Sequence, residues 1–324
     1  MSFDLSRRDF FLTSAAAVAA TGAATTRAAV AADAKPASAG GDPFRYCLNT
    51  STISKCQYQG KNVDVVSEVE IAAKAGYTGI EPWIRSLDAY TKSGGSLSDL
   101  RKRIADAGLT VESAIGFAAF LHEDEEQRKK GLEEAKRCRG IVREIGGERL
   151  AAPPVGVTDK TGLDLFQLSE RYRALCEVGQ QEGVYPQLEL WGFSKTLARL
   201  GEAAFVGIEA AHPKACFLLD VYHIYKGGSG FEGLNMFAGR RMFDFHVNDY
   251  PADPPRDKIN DAARVYCGDG VAPLTDIFRT LRDGGYRGAL SLELFNPNYW
   301  KQDGLEVAKT GLEKTKAAVS KALA

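Results

Sequence analysis

The chain has 324 residues, with 41 lysines and arginines against 42 aspartates and glutamates, a formal charge of −1 and 44% hydrophobic residues. That balance supplies no broad basic field to hold a phosphate backbone, so nucleic acid is excluded as an expected partner and small, neutral or weakly charged ligands fit better. The apolar content suffices for one large core or two small ones.

In chain order, Arg7 and Arg8 come first, followed by Phe10, Phe11 and Leu12, an Ala-rich run and A-x-A sites such as Ala29 to Ala31. This pattern resembles a twin-arginine (Tat) export signal over residues 1–32 and implies a periplasmic or otherwise extracytoplasmic protein. A transmembrane anchor needs roughly 20 strongly apolar residues, whereas this run is short and mostly Ala, Thr and Gly. No stable membrane insertion is expected. Residues 33–43 read as a disordered linker, and one folded domain is expected over 44–324. Six cysteines (Cys47, Cys56, Cys138, Cys176, Cys216 and Cys267) show no C-x-x-C spacing; buried free thiols are the expectation.

From Phe44 onward, short apolar and β-branched runs alternate with longer amphipathic segments, which predicts βα units on a parallel sheet. Eight strand candidates follow one another: "FRYCLN" (44–49), "TGIEPW" (78–83), "LTVESAIG" (109–116), "ERLAAP" (148–153), "YPQLEL" (185–190), "ACFLLD" (215–220), "MFDFHV" (242–247) and "ALSLEL" (289–294). Helix patterns such as "LTDIFRTLRDGGY" lie between them, several ending in a Gly and an aromatic residue, as a helix C-cap would. Eight such units in about 280 residues is the arithmetic of an α/β fold of the (β/α)8 TIM-barrel type. The sixth helix is the weakest element, because "GSGFEGLNMFAGRR" is short and Gly-rich. A doubly wound open sheet would want a Gly-rich phosphate loop after the first strand, and "CLNTSTISKCQYQG" is not one.

Active residues of such barrels sit at the C-terminal ends of the strands. The last four candidates end in Glu189 ("QLELW"), Asp220 ("LLDVYH"), His246 ("DFHVND") and Glu293 ("SLELFN"). Singly, each acid has the alternative of capping a helix or pairing with an arginine. Together, three carboxylates on one rim repel one another and are more cheaply grouped around a divalent cation. One imidazole with three carboxylates suits Mn²⁺ best, with Mg²⁺, Co²⁺ or Zn²⁺ also compatible.

These strand ends, together with the Asp-x-x-His of Asp220 and His223, resemble the sugar phosphate isomerase/epimerase family of xylose isomerase-like barrels. The resemblance implies that Glu189, Asp220, His246 and Glu293 hold one metal ion and that His223 contacts the substrate. It further implies a metal-stabilised enediolate, with Glu293 removing the proton beside a carbonyl and Glu189 returning it from the other face. The expected activity is therefore isomerisation or epimerisation of an unphosphorylated ketose or keto-sugar, since an exported enzyme would rarely meet sugar phosphates. The alternative is a lyase acting on a 3-keto-glycoside, or one resembling inosose dehydratase, with the same metal site.

Two features depart from the ketose 3-epimerases: Lys195 stands where they carry a substrate-contacting Glu, and the nearest Arg after the His ligand, Arg256, lies along an extended loop. Glu81, His122 and Trp191 complete the candidate substrate contacts, Glu81 with pairing to a cation and His122 with a helix-cap role as alternatives. Trp83 and Trp300 likewise offer ring faces to a sugar. A DNA-repair endonuclease on this barrel would gather several zinc ions with many histidines, and the chain has four. A non-catalytic sugar-binding module would need no convergent acids. Nothing in the composition sets the number of copies, and a homo-oligomer stays compatible with it.

Overall fold

Runs that are apolar on both faces become strands only where both faces are covered; here helices cover the outer face and the strands' own side chains fill the inner one. In the computed structural model, which describes residues 43–237, 239 and 241–324, eight parallel strands form one sheet. They are β1 (Arg45–Asn49), β2 (Gly79–Glu81), β3 (Thr110–Val111), β4 (Arg149–Ala152), β5 (Tyr185–Glu189), β6 (Cys216–Asp220), β7 (Met242–Val247) and β8 (Ala289–Leu292). The hydrogen-bonded order is β3-β2-β1-β8-β7-β6-β5-β4. The expected signal segment and, apart from Pro43, the expected linker lie outside the described residues.

The seam between β3 and β4 is closed three residues past β3. The Ala114 amide donates to the Arg149 carbonyl (3.2 Å), and the Ala114 carbonyl accepts from the Ala151 amide (2.9 Å). β3 is therefore shorter than the sequence suggests: the Glu112 amide still donates to the Ile80 carbonyl (3.2 Å), while Ala114 takes up the ladder to β4.

Nine helices among the described residues wrap this sheet: α1 (Val65–Ala75), α2 (Ile84–Lys92), α3 (Leu97–Asp106), α4 (Glu125–Glu144), α5 (Leu165–Glu182), α6 (Leu200–Glu209), α7 (Val221–Gly227), α8 (Leu274–Asp283) and α9 (Gly304–Leu323). α8 buries Leu274, Ile277, Phe278 and Leu281, the spacing of one helical face. Aspartates start many of them: the side chains of Asp64, Asp124, Asp164 and Asp303 accept first-turn amides of α1, α4, α5 and α9. α1 and α5 end on Gly76 and Gly183 in the left-handed conformation. None of the described helices is long and apolar enough to cross a membrane. The six cysteines stand as separate buried thiols.

The sixth unit differs from expectation. Its helix α7 starts directly at the end of β6, inside "VYHIYKG", and the Gly-rich segment after it contributes only a 3-10 turn over Phe231–Met236. The glycine pair has two separate causes. Gly228 is the left-handed cap of α7 (φ 78°), whereas a Cβ on Gly227 would run into the Ala198 carbonyl oxygen. Gly227→Ala should thus destabilise the fold by about 1–3 kcal/mol through overpacking. Gly140→Ala, in the middle of α4 with open space around it, should stabilise by roughly 0.5–1 kcal/mol. A urea unfolding midpoint that does not fall for Gly227→Ala would refute this reading of Gly227.

Candidate active site

Side chains alternate along a strand, so Gln187 and Glu189, Asp244 and His246, and Ser291 and Glu293 each share a face, here the barrel interior. The C-terminal member of each pair reaches the rim. Asp220, the last residue of β6, divides its carboxylate between two tasks. Its Oδ1 accepts the His223 amide and caps α7 (2.9 Å), while Oδ2 faces His246 Nδ1 at 3.6 Å. Helix capping and the rim cluster, which the sequence offers as alternatives for this acid, coexist on one side chain.

His246 is clamped from behind. Glu81 Oε2 lies 2.9 Å from its Nε2, and the same oxygen accepts from Ser291 Oγ (2.7 Å) and Asn49 Nδ2 (2.9 Å). Its Nδ1 stands 3.2 Å from Glu293 Oε2, with no directed hydrogen bond of its own although it is buried. Burial alone would depress the imidazole pKa; Glu293, Glu81 and Asp220 outweigh it and hold the charged form well above the usual range. Asp220, His246 and Glu293 offer one ligand atom each within 4.8 Å of one another. A buried, unsatisfied imidazole nitrogen facing two carboxylates is a donor set that fits a divalent cation, and the carboxylate behind the ring fixes its tautomer.

Glu189 lies on the same rim and faces the same cavity but stands outside that three-residue cluster. Trp191 Nε1 donates to its Oε1 at 3.1 Å. Burial, reinforced by Glu293 and Asp220, pushes its carboxyl up to about 8 against the pull of His246. Glu293 is tethered at both oxygens, Oε1 by Asn49 Nδ2 (3.0 Å) and Oε2 by Arg264 Nη1 (2.9 Å). His223 lines the cavity, with Nδ1 accepting the Gly192 amide (3.3 Å), and burial pushes its pKa down to about 4.

Arg264 is the residue that sequence reasoning missed. Although 1% exposed, it donates from Nη1 to Asp220 Oδ2 (2.8 Å) and Glu293 Oε2 (2.9 Å), and pairs through Nη2 with Asp261. Its guanidinium lies over the Tyr222 ring at 4.5 Å. An antiparallel bridge between Asp249 and Val265, with both N–O distances 2.9 Å, folds the loop after β7 back over the rim and delivers Arg264 there. The Asp249 carboxylate fastens the returning chain by accepting the amides of Gly268, Gly270 and Ala272.

Three expected substrate contacts are placed elsewhere. Arg256 is exposed on that loop, its carbonyl accepting from Lys226 Nζ (3.0 Å), because the loop turns back only after it. His122 sits before α4, where Nδ1 accepts the Asp124 amide (3.1 Å), the cap role weighed for it. Glu81 is fully buried behind His246 rather than open to a ligand. Trp191 and His223, by contrast, do face the cavity. This cavity of about 380 Å³ has Glu189, Glu293, His223 and Arg264 at its polar end and Trp83, Phe117, Trp191, Phe193, Phe295 and Trp300 around it.

The chain resembles proteins of known name. It is 27% identical over 284 residues to an inosose isomerase of Bacillus velezensis, covering 86% of this chain and 98% of that one. It is 28% identical over 254 residues to a 3-dehydroshikimate dehydratase of Pseudomonas aeruginosa, covering 75% of this chain and 37% of that longer protein. Its fold matches a crystal structure of the IOLI protein with a zinc atom, with a TM-score of 0.77 and 23% identity over 86% of this chain and 99% of that one. The family model described as xylose isomerase-like TIM barrel spans residues 69–318. With that model matching most of its length, the chain belongs to the xylose isomerase-like TIM barrel family.

Proposed function

We propose that this protein is a metal-dependent isomerase or epimerase of an unphosphorylated keto-sugar or keto-polyol. The observation that carries the reading is the convergence of Asp220, His246 Nδ1 and Glu293, the last of which lines a cavity that Glu189 also lines. The name of the inosose isomerase relative supports the substrate class, and the zinc atom of the IOLI structure supports a divalent cation. Mn²⁺ is our choice of metal, on the oxygen-rich donors.

A divalent ion held by Asp220, His246 and Glu293 supplies Lewis-acid polarisation of a substrate carbonyl. Glu293 then takes the proton beside that carbonyl, its two tethers fixing the carboxylate towards the cavity. Glu189, a buried carboxyl that faces the same cavity, donates a proton to the substrate carbon. Proton removal on one face and return on the other inverts the centre. Loss of a group β to the carbonyl after the same removal gives elimination, the second reading, which the dehydratase relative favours.

The cavity argues against a phosphorylated substrate. Arg264 is the one guanidinium or ammonium group among its described lining residues, and Asp220, Asp261 and Glu293 already neutralise it. Absence of phosphate agrees with the Tat-type export we propose from Arg7 and Arg8. Incubation with a panel of ketoses, inososes and keto-glycosides in D₂O, with Mn²⁺ or with chelator, tests the proposal through the carbon-bound protons by NMR. Metal-dependent exchange that chelation stops is expected; no exchange with any member would overturn the reading.

A further inference from the structure

The outer part of the cavity is unlike its polar end. Ring follows ring along one wall: Phe295 lies 6.0 Å from Trp83, Trp83 5.5 Å from Phe117, Phe117 5.5 Å from Trp191, and Trp191 stacks on Phe193 at 5.1 Å. The three indole N–H groups that could have met sugar hydroxyls are already used on the protein. Trp83 donates to Asn49 Oδ1 (2.8 Å), Trp191 to Glu189 Oε1 (3.1 Å) and Trp300 to the Ser51 carbonyl (3.1 Å). These rings therefore offer the ligand carbon surface with no spare donor. At the mouth, Phe117 and Phe193 stay 45% and 48% exposed, two of the six large apolar side chains so exposed among the described residues. Exposed rings gathered at one cavity mouth are a binding feature in a way that scattered ones are not.

A free ketose or inosose carries hydroxyls all round. With its carbonyl at the metal end, its outer hydroxyls would find no protein hydrogen-bond partner among these rings, so the wall would add little to its binding. A molecule in two parts has no such conflict. We propose that the substrate is a glycoside: a keto-sugar ring at the polar end carrying a flat, apolar aglycone, aryl in character, that lies against the wall of Phe117, Trp191 and Phe193. This rests on the carbonyl-directed reading above and makes Phe117 and Phe193 specificity-determining residues. An aromatic aglycone gains both apolar area and ring–ring contact there.

The chain's three tryptophans all line this cavity, so intrinsic fluorescence reports its occupancy. The test is titration of the Mn²⁺-loaded protein with paired phenyl and methyl 3-keto-β-glycosides of glucose, galactose and xylose. At least one phenyl glycoside should bind roughly tenfold or more tightly than its methyl partner. In the Phe117→Ala/Phe193→Ala double variant, shown folded by an unchanged circular dichroism spectrum, that preference should fall to about twofold or less. Equal affinities, no saturable binding by any phenyl member, or a preference that survives the double substitution would each overturn the proposal. Its failure stays distinct from failure of the carbonyl chemistry, because metal-dependent exchange on unsubstituted ketoses is read separately.

Discussion

Glu293→Gln should slow proton exchange at the substrate carbon by about 10²- to 10⁴-fold, the range for loss of a positioned general base. The amide is nearly isosteric and can keep one of the two present tethers, through its oxygen, to Asn49 or to Arg264. It cannot accept a proton at neutral pH. Because Glu293 is also one of the three clustered ligand atoms, exchange must be measured at saturating Mn²⁺ with bound metal counted. A variant that holds a full complement of metal and exchanges at the wild-type rate would remove Glu293 from the role of base. Glu189→Gln separates the two carboxylates: removal by Glu293 survives while return from the Glu189 side fails, so inverted product drops more than exchange does.

The legible parts of this protein were those in which one residue reports its own surroundings. Eight strands were readable because each is a short, mostly apolar and buried run, and Asp220, His246 and Glu293 stood out as polar groups where those runs end. The seam at Ala114 was not, since a two-hydrogen-bond closure leaves no trace in composition. The helix α7 was hidden because Asp220 serves as strand end and helix cap at once, with no loop between. Arg264 was invisible for a different reason. Its position depends on the Asp249–Val265 bridge returning a long loop, so sequence proximity to His246 pointed to Arg256, which the loop carries outwards. Glu81 was visible as a strand-end acid, but that it faces His246 rather than the cavity is a matter of barrel register.

Arg264→Met should destabilise the metal-free protein by about 3–5 kcal/mol, the cost of leaving buried charges without their partner. For a domain of this size that is a fall in Tm on the order of 10 °C. The guanidinium is the lasting cation that Asp220 and Glu293 share, and both are buried, so its loss leaves the two carboxylates only His246, which must give up its Nδ1 proton before a metal ion can bind there. A divalent ion that binds the native site alone would restore roughly 4 kcal/mol at a thousandfold excess over its Kd. The variant should therefore gain more from Mn²⁺ than the wild type does, because in the wild type the two carboxylates already have a counter-ion. Thermal unfolding of both proteins with chelator and with Mn²⁺ reads this difference directly. Equal metal-induced shifts would mean that Arg264 and the ion do not share Asp220 and Glu293, and no shift in either protein would argue that the cluster holds no metal and that Arg264 alone neutralises it.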